Sequence, residues 1–245
     1  MKRKQCLAVC LLCVIILTGC GSGEREAGSG PEGAENAVSS RSDLETRQGR
    51  EAIPLELPQG EVPERTVVEY TWDHPVTVDG GRQLTIRLFC QAEYQYNSWG
   101  YSVKDIEVLE GNALLQSISI EEADTAALVQ EGIDPDYAQA QTHCWEPDGS
   151  LHLNDLNFDG HPDLRLLEGT GVVNSRYLCW LWDPDSQTFR FAFSLVGYDV
   201  QIDAEEKQII TTARDSMTHI TSYYTYDETG TLQLVDRDSV TPEMG

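Results

Sequence analysis

Short stretches in which apolar and polar residues alternate recur from residue 66 to the end of the chain, separated by clusters of Gly, Asp, Asn, Ser or Pro. A period of two sends alternate side chains to opposite faces of an extended backbone, so the pattern predicts strands rather than helices. Strands are expected at residues 66–72, 82–92, 101–109, 114–120, 151–153, 164–167, 177–182, 188–195, 208–213, 218–226 and 231–236. Turns are expected at Asp79-Gly80-Gly81, Glu110-Gly111-Asn112, Asp183-Pro184-Asp185-Ser186-Gln187 and Asp227-Glu228-Thr229-Gly230, residue types that preset or tolerate turn dihedrals. Consecutive strands with short connections predict an all-β fold with one or two short helices, mainly an antiparallel meander forming a sandwich or barrel. One helix is expected from Ile120-Glu121-Glu122-Ala123-Asp124 through Gln130, with acids at its dipole-favoured start and Gly132 at its end. No internal repeat is evident, which argues against a multi-bladed propeller.

The alternation is missing from the first 65 residues. Lys2-Arg3-Lys4 precedes an apolar run over residues 6–17, 12 residues against the roughly 20 of a spanning helix. A basic start and a short apolar core describe an export signal. The residues that close it, Leu17-Thr18-Gly19-Cys20, resemble the lipobox of bacterial lipoproteins at all four positions. That resemblance implies a signal peptide over residues 1–19, diacylglycerol on Cys20, and a protein lipid-anchored at the extracytoplasmic face of a cell membrane. Residues 20–65 then carry the lipidated cysteine and a Gly-, Ser- and Glu-rich stretch too poor in apolar residues to offset ordering entropy, which predicts a disordered tether. Ile53, Leu55 and Leu57 alternate around Pro54 and Pro58 and read as extended linker, an edge strand being the alternative. Residues 66–245 then make up the antiparallel β domain.

Charge narrows the partners. The net charge is −24, and loss of Lys2, Arg3 and Lys4 with the signal takes it to −27. Such a surface excludes nucleic acid and anionic lipid headgroups and suits cations and basic proteins. Of seven cysteines, Cys90, Cys144 and Cys179 remain after the signal and the anchor. They allow one disulfide with a free thiol, or none, and no zinc spacing is present. Cys90 and Cys179 lie in apolar runs and read as buried thiols.

The stretch richest in chemistry is Asp155-Leu156-Asn157-Phe158-Asp159-Gly160-His161-Pro162-Asp163. Side-chain oxygens fall at its first, third, fifth and ninth positions, Gly160 permits a sharp turn, and His161 offers a backbone carbonyl. This is the ligand rhythm of a calcium loop, with Asp155, Asn157, Asp159, His161 and Asp163 as the metal ligands. Leu166 stands where an EF-hand has its bidentate Glu, and the flanks read as strands. The loop therefore resembles the DxNxDGxxDL loop of extracellular β proteins with FG-GAP-type repeats, with affinity expected in the weak extracellular range of about 10⁻⁴–10⁻³ M.

A wider similarity follows from Asp155-Leu156-Asn157-Phe158-Asp159-Gly160, then Asn174, Tyr177 and Trp180-Leu181-Trp182-Asp183, then Phe189 and a final Tyr-rich hairpin, in that order. The stretch resembles a group of extracytoplasmic bacterial lipoproteins, some of which look like calcium-containing periplasmic lysozyme inhibitors and immunity proteins against peptidoglycan-cleaving toxins. The resemblance implies a calcium cofactor and a non-catalytic role, with a basic cell-wall hydrolase as partner. A second reading is a glycan- or surface-ligand-binding module, from the aromatic stretch Tyr94, Tyr96, Trp99 and Tyr101. A third, an enzyme, finds no H-E-x-x-H, G-x-S-x-G or P-loop, and no catalytic residue can be named. His74, His143, His152, His161 and His219 are scattered without ligand spacing.

Overall fold

The computed structural model describes residues 48–134, 149–170 and 173–241; the export signal, Cys20, the tether as far as residue 47, His143 and Cys144 lie outside them. Three four-stranded sheets follow one another along the chain, each a meander of consecutive antiparallel strands. The first holds β1 (Thr66–Val78), β2 (Arg82–Gln95), β3 (Ser98–Glu110) and β4 (Ala113–Ser119), and helix α1 (Ile120–Gln130) follows it. The second holds β5 (Leu151–Asn154), β6 (Asp163–Thr170), β7 (Ser175–Asp183) and β8 (Thr188–Gly197). The third holds β9 (Asp199–Asp203), β10 (Gln208–Asp215), β11 (Thr218–Tyr226) and β12 (Leu232–Val240). Every expected strand has a counterpart, and β9 is an addition. The fold is all-β with one short α-helix among the described residues.

The three sheets are layered, and β7 shows why. Its run Tyr177-Leu178-Cys179-Trp180-Leu181-Trp182 lacks alternation because both faces of the middle sheet are covered. Leu178, Trp180 and Trp182, with Leu164 and Leu166 of β6, enter a core shared with Leu84, Ile86, Leu88, Ile106 and Val108 of the first sheet. Cys179 and Leu181 face the other way, into a second core with Leu195, Ile209, Val200 and Ile202. Truncating a fully buried Trp in such a core costs about 3–5 kcal/mol. The Cys90 and Cys179 side chains are both buried. Polar side chains also join the layers. Gln116 of β4 donates to Phe189 O at 2.7 Å and accepts from Phe189 N–H at 2.8 Å, satisfying an edge of β8.

Helix α1 starts where the sequence places it. Ser119 caps it by accepting the Glu122 N–H, and the helix ends in 5→2 and 6→1 bonds, Gly132 N–H to Val129 O and Ile133 N–H to Leu128 O. No helix among the described residues is long and apolar enough to cross a membrane.

From Gln48 to Ile53 the chain is laid against the first sheet. Gln48 bridges Ala113, Gly49 N–H donates to Asn112 O, and Ile53 exchanges bonds with Thr71 on β1. Five extended residue steps cover roughly 17 Å, enough for the three interstrand gaps, about 14 Å, that separate β4 from β1. The segment is a strap across the strands, on the face turned away from the core. It explains why Glu107, an outward-facing residue of β3, is only 3% exposed.

Candidate functional site

The loop between β5 and β6 is wound around its own first carboxylate. Asp155 Oδ1 accepts the Asp159 N–H at 3.0 Å and Oδ2 accepts the Gly160 N–H at 2.9 Å. Such a tight return needs positive φ, supplied by Gly160 (92°) and by Phe158 (62°). A bulky residue tolerates that conformation here because its ring is packed in the second core, edge-on to Tyr226 with centroids 6.5 Å apart. Leu156 is buried beside it, so the two apolar residues of the loop turn away from the oxygen-bearing ones.

Asn157 Oδ1 also accepts the Asp159 N–H, and its Nδ2 donates to Asp159 Oδ2 at 2.7 Å. Asp159 Oδ1 accepts the His161 N–H at 2.8 Å. Asp163 opens β6 and is 0% exposed. Its oxygens accept the N–H groups of Leu156 at 2.7 Å and Trp182 at 2.8 Å. Burial pushes its carboxyl up to about 6, aided by the charge of Asp159 and opposed by backbone donors. The His161 imidazole turns to the first sheet, its Nδ1 2.7 Å from Asp79 Oδ1, and Asp79 Oδ2 accepts from Trp182 Nε1 at 3.1 Å.

The structure thus brings Asp155, Asn157 and Asp159 together at an accessible turn, places Asp163 beneath them, and gives the His161 ring a partner outside the loop. Among the described residues no three His, Cys, Asp or Glu side chains stand ready to hold a metal ion. The donor chemistry still suits a hard cation: two accessible oxygen-bearing side chains, Asp155 and Asn157, an exposed Asp159, and the His161 carbonyl. Each carboxylate has lone pairs beyond those used by backbone N–H groups. Like charge is crowded here. Burial raises the Tyr226 phenol, and the charges of Asp163, Asp155 and Asp159 raise it further. Its buried hydroxyl has no hydrogen-bond partner among the described residues.

Two further charged clusters had no signal in residue spacing, because distant segments build them. Arg176 of β7 meets Asp124 of α1 at 2.8 Å, Glu131 at the helix end at 3.3 Å and Glu168 of β6 at 3.4 Å. Burial lifts Glu168 to about 7; the charges of Asp124 and Glu131 add to it, and Arg176 opposes. The other cluster surrounds Arg50 of the strap. The aromatic stretch is resolved more finely. The Tyr94 and Trp99 rings meet at a tilt with centroids 5.3 Å apart, and Trp99 and Tyr101 pack against the first core. Tyr96, at the two-residue tip of the β2–β3 hairpin, is 88% exposed.

No family model matches this chain, and no curated protein or solved structure is detectably similar to it.

Proposed function

We propose that this chain is an exported, lipid-anchored binding protein without catalytic activity, whose β domain is stabilised by calcium and whose partner is a basic protein such as a lysozyme or another cell-wall hydrolase. The observation that carries the calcium part is the crowding of the Asp155, Asp159 and Asp163 charges around one tight turn. A divalent cation would relieve that repulsion. Asp155, Asn157, Asp159 and the His161 carbonyl are the groups that would hold it, after Asn157 and the exposed Asp159 turn from each other toward the ion. Asp163 would contribute from below while retaining its backbone donors. The metal would act by mass action on the folded state. The choice of partner rests on the net charge of −24 and on the resemblance of residues 153–235 to the inhibitor and immunity lipoproteins.

The test is inhibition of a panel of lysozymes and wall hydrolases by the chain from residue 21 onward, with calcium and with chelator. Calcium-dependent inhibition supports the proposal; a panel untouched under both conditions removes the hydrolase as partner. A glycan-binding reading is favoured by one observation, the exposure of Tyr96. Trp99 is part of the packed structure, so Tyr96→Ala is the informative variant. Glycan binding lost in Tyr96→Ala with unchanged stability would support that reading.

A further inference from the structure

Arg50 sits in a setting with the shape of a guanidinium receptor. Its Nε donates to Glu107 Oε1 at 2.6 Å and its Nη1 to Asp105 Oδ2 at 3.2 Å. Its guanidinium carbon stands 3.3 Å from the centre of the Phe89 ring. Two neighbouring carboxylates and an aromatic face complement a planar cation with a fork of donors, and fit a compact ammonium less well. The register explains how the groups converge: Phe89 lies opposite Asp105, and Arg87 lies opposite both Asp73 and Glu107, all on the outward face. Arg87 is itself committed to Asp73 through two bonds of 2.7 Å. Without Arg50, the neighbouring Asp105 and Glu107 carboxylates and the Phe89 ring lose their guanidinium, while Arg87 stays with Asp73.

The strap that delivers Arg50 is pinned at its backbone, Arg50 N–H donating to Glu107 Oε2 at 3.0 Å and Arg87 Nη1 donating to Arg50 O at 2.6 Å, but its following residues are open to solvent. Glu51, Ala52 and Ile53 are exposed, and the Arg50 side chain is 46% exposed.

We propose that the outward face of the first sheet is an arginine-recognition site, occupied in this structure by the chain's own Arg50, which an arginine of a basic protein partner replaces. The site deepens the reading of this chain as a binder of basic proteins and rests on it for the class of partner. The strap is then an internal competitor that lowers apparent affinity for any partner able to displace it.

The test uses the full-length chain and arginine amide as the probe, with lysine amide at matched ionic strength as control. Arg50→Ala should gain a saturable rise in Tm of about 2–4 °C with arginine amide. The wild type and Arg50→Ala/Glu107→Gln should show no such rise, and lysine amide should leave Arg50→Ala unmoved. An equal response to both amides, or no response beyond the wild type, would overturn the proposal. If Arg50→Ala does not fold, Arg50→Gln keeps the Gly49 and Ile53 backbone bonds and removes the guanidinium, and the same readings apply to it. The assay contains no hydrolase, so a negative inhibition panel and a negative arginine titration fail separately.

Discussion

Asp163 accepts the backbone N–H of Trp182 with one carboxylate oxygen and that of Leu156 with the other, at 2.8 and 2.7 Å. One buried side chain thus fastens the acidic turn to β7, whatever ion the turn carries. Asp163→Ala leaves two buried backbone donors without their acceptor and should cost about 2–4 kcal/mol. Urea unfolding in chelator checks this. Wild-type stability for the variant under those conditions would mean that the carboxylate acts only through a metal.

Asp159 is exposed, and its bonds lie within the turn. Asp159→Ala should therefore stay within about 1 kcal/mol of the wild type in chelator. Calcium should raise the Tm of the wild type and not that of the variant. A calorimetric titration that finds equal calcium binding in both would discard the proposed ligand set.

The buried Glu168 gives stability a defined pH dependence. Its carboxyl titrates near 4.5 when unfolded and is raised to about 7 beside Asp124 and Glu131, with Arg176 opposing. Below about 4.5 it is protonated in both states. Between about 4.5 and 7 the folded chain keeps a proton that the unfolded chain releases, so this contribution falls as pH rises and is gone above 7. Glu168→Gln should match the wild type near pH ~4 and exceed it near pH ~8. Urea midpoints across that range measure the difference; parallel curves would assign the slope to other groups.

Gly197 ends β8 where the chain passes from the middle sheet to the third. A Cβ there would lie 2.8 Å from Thr212 O and 3.1 Å from Asp199 O, both backbone atoms that cannot swing aside. Gly197→Ala should cost about 1–3 kcal/mol, read as a lower Tm with unchanged far-ultraviolet dichroism.

Much of this architecture was legible because each strand is next to its partner in sequence. The turns at Asp79-Gly80-Gly81 and Asp227-Glu228-Thr229-Gly230, and the helix from Ile120, follow from local chemistry. Strand β9 was not, since Asp199–Asp203 offers only Val200 and Ile202 between acids. Strand β3 begins at Ser98, three residues before the expected start at 101, because Tyr96 and Asn97 alone make the turn. At the acidic loop, the spacing of oxygen-bearing residues and Gly160 identified the turn. It could not show that the His161 ring would meet Asp79, a contact made across two sheets. The strap was illegible for a similar reason: Arg50 looks like a solvated charge until Glu107, 57 residues away, is placed beneath it.

The covering of the middle sheet on both faces has a consequence for how the chain must assemble. Each meander can form early, since hairpins between sequence neighbours close quickly. On a chain extended from its N-terminus, the first sheet is finished at Ser119, well before Trp180 and Trp182 are available to cover it. The middle sheet in turn leaves Cys179 and Leu195 bare until β9 and β10 follow. A chain cut before Asp199 would thus lose no mere edge: it would present an open apolar layer, and self-association would compete with folding.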